Sequence, residues 1–271
     1  MEAFAFHKYE GLGNDFIIVE ADRDDAVPAA VAKALCDRRF GIGGDGILLL
    51  LPPTSSGARG RMRVINADGS VPEMCGNGLR CAVLYAARVQ GVAEGEILFD
   101  TDAGKKPCLI DDRDGRGLVT VDMGPIRVDD DITLDLGDGE PWTFTPADAG
   151  NPHVITTRAA SRADIDAVGP RVATHSRFPA GTNVEFAVYR KGAVDLVVWE
   201  RGVGLTLACG TGACATVAVG VRKGLISVNE EVAVNLPGGP LSIKLRDDGH
   251  AIMRGPARHV FSGTLTELPP G

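Results

Sequence analysis

The sequence predicts an α+β fold made of two similar lobes. Three observations lead there: many short strand-like runs, few helical ones, and a repeat that lays the second half of the chain over the first. At 271 residues the chain lies where single hydrophobic cores stop growing, so two domains of ordinary size are expected. Apolar residues make up 44% and charged residues 24%, the balance of a globular protein. With aromatics at 5%, the core must be Val, Leu, Ile and Ala.

In order along the chain, strand-like runs occur at residues 3–9 (AFAFHKY), 16–21 (FIIVEA), 47–51 (ILLLL), 61–67 (RMRVINA), 96–101 (EILFDT), 117–123 (GLVTVDM), 183–189 (NVEFAVY), 194–200 (VDLVVWE), 231–236 (EVAVNL), 241–245 (LSIKL) and 250–255 (HAIMRG). Each alternates or is rich in β-branched residues and is bounded by Gly, Pro, Asn or Asp, the pattern of antiparallel strands and turns. NLPGGPLSI reads as a turn between two of them. Helical stretches are Pro28 to Arg39, Gly76 to Val89, about Arg162 to Val172, and Gly210 to Lys223. The third has Ser161 as N-cap and Asp164 to complete a capping box.

RMRVINADGSVPEMCGNGLRCAVLYAARVQG aligns over DLVVWERGVGLTLACGTGACATVAVGVRKG without a gap. Cys75 then stands over Cys209, Asn66 over Glu200, and Gly76 and Gly78 over Gly210 and Gly212. Upstream, GLGNDFIIV echoes DAGNPHVIT, so that Asn14 stands over Asn151, and the same shift puts Gly46 over Asn183. Each half thus offers strand, Asn turn, strand, then a cysteine at the start of a helix. Two lobes facing across a cleft are expected, because clefts between domains are where small molecules usually bind. The boundary falls near Met123 to Val128, giving an N-terminal lobe of residues 1–122 and a C-terminal lobe of 123–255.

A net charge of −8 argues against a nucleic-acid groove, which needs clustered Lys and Arg. The N-terminal residues show neither a basic region nor a continuous apolar one, so no signal peptide is expected. The longest apolar stretch, from Ile47, is far short of the roughly 20 residues that span a bilayer. A cytoplasmic protein without membrane or nucleic-acid partners follows, and its six cysteines are then expected as thiols. GIGGDG, Gly41 to Gly46, matches G-x-G-x-x-G as a string. It has a helix before it and a strand after it, the reverse of a dinucleotide site, and reads as a glycine turn.

Cys75 and Cys209 each precede a Gly-x-Gly and a helix. A sulfur at a helix N-terminus meets unpaired N–H groups and the positive end of the macrodipole, which lower a thiol pKa from its free value of about 8.5. The glycines let backbone N–H groups approach an anion such as a carboxylate. Cys81 and Cys214 lie further into the same helices and read as packing; Cys36 and Cys108 belong to no constellation. The spacings C-x5-C and C-x4-C without a His pair do not suit zinc, so no metal is expected. His153 and Glu200 lie in segments that the repeat places beside the cysteines, and either could exchange protons with a thiol. Asn14, Asn66, Asn77, Asn151 and Asn183 would supply neutral donors and acceptors.

A duplicated cysteine suits a symmetric reaction. Disulfide exchange favours C-x-x-C, which is absent; acyl transfer has no use for a second nucleophile. A racemase or epimerase removes a proton from one face of a carbon and delivers one to the other, which one thiolate and one thiol can do. No local signature of a pyridoxal cofactor is present, so none is expected. The two thiols should titrate as a coupled pair with a bell-shaped pH profile.

GLGNDF, NADGS with EMCGNG, GNPH, TNVEF, ERG and ACGTGACA, in this order over nearly the whole chain, resemble the diaminopimelate epimerase family. The resemblance implies two lobes, each a mostly antiparallel β-barrel around a central helix, with the site between them. It implies cofactor-independent interconversion of LL- and meso-diaminopimelate on the route to lysine and peptidoglycan. Cys75 and Cys209 would be the acid/base pair, tuned by His153 and Glu200. Substrate contacts would come from Asn14, Asn66, Gly76, Asn77, Asn151, Asn183, Glu200, Arg201, Gly210 and Thr211. A homodimer and a last strand, within 256–271, that returns to the first lobe are implied as well. Some relatives carry Gln where Gly46 stands, so that position is not counted among the contacts. A proline or hydroxyproline racemase shares the paired-cysteine logic and is the nearest alternative; a non-catalytic amino-acid-binding or thiol-redox protein is another.

Overall fold

The computed structural model describes residues 4–91, 95–112, 114–137 and 139–267. The chain forms two compact units, one from the described residues of Met1–Val121 and Gly255–Gly271, the other from those of Asp122–Arg254.

The first unit begins with β1 (Phe4–Gly11), β2 (Asn14–Glu20), α1 (Ala29–Cys36), β3 (Gly46–Leu51) and β4 (Ala58–Asn66). It continues with α2 (Gly76–Arg88), β5 (Gly95–Thr101), β6 (Gly104–Asp111) and β7 (Leu118–Pro125), within which the chain passes to the second unit. Neighbouring strands pair antiparallel except β2 with β3 and β4 with β5. Those two links are parallel because a helix crosses over between the strands, which a tight turn cannot do. All six residues of β3 are buried, because the strand is covered on both faces. Ile47, Leu49 and Leu51 join Ile17, Val19 and the Ala32 and Leu35 side chains of α1. Leu48 points to the first turn of α2, where a Cβ on Gly78 would lie 2.9 Å from its Cδ2. Every residue of α2 from Gly76 to Ala86 is buried, so the sheet curls around it as a barrel around a central helix.

The second unit repeats this plan with β8 (Arg127–Val128), β9 (Ile132–Leu134), β10 (Trp142–Asp148), β11 (Pro152–Thr156), α3 (Arg162–Ala173), β12 (Asn183–Arg190) and β13 (Ala193–Glu200). Then come β14 (Gly204–Leu205), α4 (Gly210–Arg222), β15 (Glu231–Leu236), β16 (Gly239–Leu245) and β17 (His250–Pro256). The parallel links are again those with a helical crossover, β11 to β12 and β13 to β15. α3 starts at the predicted capping box of Ser161 and Asp164 and packs Ile165, Val168 and Val172 against Phe144, Val184 and Phe186. α4 is buried from Gly210 to Gly220. The registers coincide: Phe16 pairs with Gly46 as His153 pairs with Asn183. β18 (Arg258–Leu265) lies antiparallel along β1.

Strands β6, β8, β9, β10, β11, β14 and β18 were not legible as runs, although the repeat pointed to β11 through DAGNPHVIT. β6 opens GKKP and buries only Cys108 and Ile110, β10 contains Pro146, and no residue of β18 is fully buried.

Gly117 shows what the curled sheet demands of the backbone. Its φ is +62° and a Cβ there would meet the Ala257 carbonyl oxygen at 2.2 Å, the residue whose N–H donates to the Gly117 carbonyl at 2.8 Å. Gly117→Ala is expected to cost about 2–4 kcal/mol in urea unfolding, against about 1 kcal/mol for Gly91→Ala, because Gly91 has φ +66° with open space around it. Equal effects would contradict a steric requirement at Gly117.

Candidate active site

In the first unit, Cys75 is the N-cap of α2, in extended conformation (φ −138°, ψ 110°), and its Sγ accepts from the Gly78 N–H at 3.4 Å. The strand-like entry ends where the first orphan N–H groups of the helix need an acceptor, and the sulfur supplies one. Asn14 lies 3.9 Å from that sulfur through its Oδ1, which also accepts from Asn77 Nδ2 at 3.2 Å. Asn77 Oδ1 accepts from Arg80 Nη2 at 2.9 Å, and Arg80 Nε donates to the Pro256 carbonyl at 3.2 Å. Arg80 is wholly buried, so these bonds hold a cation inside the barrel. On the other side Asn14 Nδ2 donates to Asp45 Oδ2 at 2.8 Å, and Asp45 is fixed by Arg38 and by the Asp15 N–H. Asn66, at the end of β4, donates from Nδ2 to Ser70 Oγ at 3.0 Å. The amides of Asn14 and Asn77 are thus set at the mouth of the α2 N-terminus by one connected ladder.

In the second unit, Cys209 is the N-cap of α4 (φ −125°, ψ 108°) and lies 3.5 Å from Thr211 Oγ1. Gly210 and Thr211 form the start of the helix and are buried. Glu200 closes β13 and its Oε1 accepts from Thr206 Oγ1 at 2.6 Å. Asn183 Oδ1 accepts from the Arg201 N–H at 2.9 Å and its Nδ2 donates to the Pro152 carbonyl at 3.0 Å, stapling β12 to both neighbours. The Arg201 guanidinium reaches the Ala180 carbonyl at 2.8 Å and is exposed. His153 does not contact the Cys209 sulfur through either ring nitrogen. Its Nδ1 lies 2.6 Å from Glu185 Oε1 and its Nε2 2.9 Å from Asn151 Oδ1.

The electrostatics of Cys209 correct the expectation of a lowered thiol pKa. Burial pushes this thiol well above the ordinary value, and the Glu200 and Glu185 carboxylates push it further. The Thr211 hydroxyl and the Gly212 N–H pull it down, but less. A helix N-terminus lowers a thiol only where desolvation and nearby anions do not outweigh it. Burial raises Glu200 too, against the Thr206 hydrogen bond; the Glu185 charge raises it and His153 lowers it.

The sequence reasoning missed Arg80, Asp45 and Glu185 as parts of these clusters. A signal existed for each: an Arg within an apolar helix, an Asp inside GIGGDG, and a Glu in TNVEF that the repeat sets over the apolar Leu48. Cys81 and Cys214 are fully buried and Cys36 and Cys108 nearly so; none of the six cysteines is in a disulfide. Among the described residues, no three His, Cys, Asp or Glu side chains gather as a metal-binding group, and no helix is long and apolar enough to cross a membrane.

The fold resembles that of a hydroxyproline epimerase from Agrobacterium vitis with bound trans-4-hydroxy-L-proline, at a TM-score of 0.76 and 15% identity over 98% of this chain and 91% of the other. The sequence profile described as Diaminopimelate epimerase matches residues 6–128 and 145–260. The diaminopimelate epimerase of Synechococcus elongatus is 42% identical, over 96% of this chain and 97% of its own length. That of Desulforudis audaxviator is 45% identical, over 95% and 98%. The protein is an isomerase of the amino-acid epimerase class. The chain belongs to the diaminopimelate epimerase family.

A thiol whose native pKa is raised holds its proton where the unfolded chain has released it. The stability that Cys209 contributes is therefore full below the ordinary thiol value and is lost as pH rises toward the native one. Cys209→Ser is expected to lose less stability than the wild type between neutral pH and about pH 10, read as urea midpoints. Equal losses would contradict the raised thiol.

Proposed function

We propose that the chain interconverts LL- and meso-diaminopimelate without a cofactor, with Cys75 and Cys209 as acid and base at one α-carbon. The observation that carries this reading is the repeated device in the two units: a cysteine as N-cap of a buried central helix, followed by Gly-x-Gly. A thiolate takes the α-proton, leaving the bonding pair on the carbon and the substrate carboxylate. The thiol of the other cysteine then gives its proton to the opposite face, and the two sulfurs have exchanged roles. Backbone N–H groups at Gly76, Asn77, Gly210 and Thr211 suit a carboxylate whose charge grows in the transition state. Asn14, Asn66, Asn151, Asn183, Glu200 and Arg201 would receive the remaining ammonium and carboxylate groups.

His153 and Glu200 would tune the thiols through their charge. The product would serve lysine and peptidoglycan synthesis, and two working thiols that must stay reduced suit the cytoplasm.

The test is formation of the meso isomer from LL-diaminopimelate by wild type, Cys75→Ser and Cys209→Ser, with proline as the competing substrate. Each variant is expected to lose roughly 10²- to 10⁴-fold in kcat with proline inert. A variant at wild-type rate would overturn the acid/base roles, and turnover of proline alone would overturn the substrate.

A further inference from the structure

The two halves share a backbone plan but differ under the first turn of the central helix. The common register places Phe16 where the second unit has His153, and Leu48 where it has Glu185. In the first unit that place is apolar: Leu48 Cδ2 fills the space beside Gly78. In the second, His153 Nδ1 and Glu185 Oε1 lie 2.6 Å apart with both side chains at 0% exposure. A Cβ on Gly212 would lie 2.7 Å from Glu185 Oε1, so the carboxylate sits directly against the turn that carries Cys209.

Such a pair is costly to bury, and here it is not fully satisfied. Glu185 Oε2 is buried with no hydrogen-bond partner. Both ring nitrogens of His153 are engaged, Nδ1 with Glu185 Oε1 at 2.6 Å and Nε2 with Asn151 Oδ1 at 2.9 Å, which fixes the ring against the carboxylate. Apolar residues of like volume hold the same place in the first unit, so packing alone does not require the charges.

We propose that Glu185, held by His153 against the turn that carries Cys209, is a positioning residue whose charge makes the second unit the half that holds the proton in the resting pair of cysteines. Cys209 is faced by Glu200 from β13 and Glu185 from β12, and Glu185 is paired with His153 from β11. Cys75 has the buried Arg80 on its own helix, and the nearby carboxylates Asp15 and Asp45 are engaged by Lys8 and Arg38. The repeat is therefore polarised: Cys75 begins as the base and Cys209 as the acid. The direction of the shift at Cys209, upward from burial and from both carboxylates, agrees. This rests on the two-cysteine reading only for its meaning in turnover.

The test is the pH dependence of iodoacetamide alkylation of each cysteine in the substrate-free protein, resolved by peptide mass. The proteins are the wild type, Glu185→Gln, Glu185→Asp, and the double variant His153→Phe with Glu185→Leu that copies the first unit. The wild type is expected to alkylate at Cys75 at lower pH than at Cys209. Glu185→Gln should raise the Cys209 rate about tenfold at a pH below its midpoint, a shift of one unit, with Cys75 unmoved. Glu185→Asp, which keeps the charge, should stay near the wild type.

The double variant should fold and bring the two midpoints together; should Glu185→Gln fail to fold, this result decides. An unchanged Cys209 midpoint in a folded variant, or equal shifts at both cysteines, overturns the proposal. Alkylation is read without turnover, so loss of the epimerase reading would leave this result standing and the reverse.

Discussion

A helix sealed inside a curled sheet has its N-terminal end as the place where unpaired N–H groups can meet a ligand, and in both units the residue at that end is a cysteine. Most of the architecture follows from keeping that end in place. β3 and β12 must be covered on the outside by α1 and α3 and on the inside by α2 and α4, which is why β3 is apolar at every position. The glycines after each cysteine leave room for the facing strand, with Leu48 against Gly78 and Glu185 against Gly212. Each cysteine keeps extended φ and ψ, so the strand-like entry and the helix meet at the sulfur.

Duplication of that device supplies two thiols, and divergence within it makes them unequal. The first unit surrounds its cysteine with an amide ladder ending on a buried cation. The second sets two carboxylates beside its cysteine, one of them paired with a histidine. In the proposed relay, identical groups would have no preferred starting state, whereas surroundings this different would supply one. Desolvation decides the matter at Cys209, where the helix N-terminus acts in the opposite sense and is outweighed.

Much of this was legible in the chain. The repeat was visible because helix starts are written in few residues, Cys-Gly-x-Gly, and because the parallel crossovers keep their length in the two halves. The helices at residues 76, 162 and 210 could be placed for the same reason, through glycines and a capping box. Strands such as β6, β10 and β18 were not, because each lacks a continuous apolar face and owes its place to its partner strand. The clusters around the cysteines were half legible. Asn14 and Asn77 stood out as a set, whereas Arg80, Asp45 and Glu185 act through contacts that only the folded chain brings together. The raised thiol at Cys209 was hidden for the same reason: sequence shows the helix terminus but not the burial and the carboxylates beside it.

The central claim is that two different thiols serve one carbon, and initial turnover of LL-diaminopimelate in D2O addresses it most directly. Mass spectrometry of product and unreacted substrate at low conversion reports where deuterium enters. With the proton taken by one sulfur and the replacement delivered by the other, the epimerised carbon of the product carries deuterium while the remaining substrate carries none. Product that keeps the original hydrogen, or unreacted substrate that gains deuterium as fast as product forms, would show that a single group takes and returns the proton and would contradict the account.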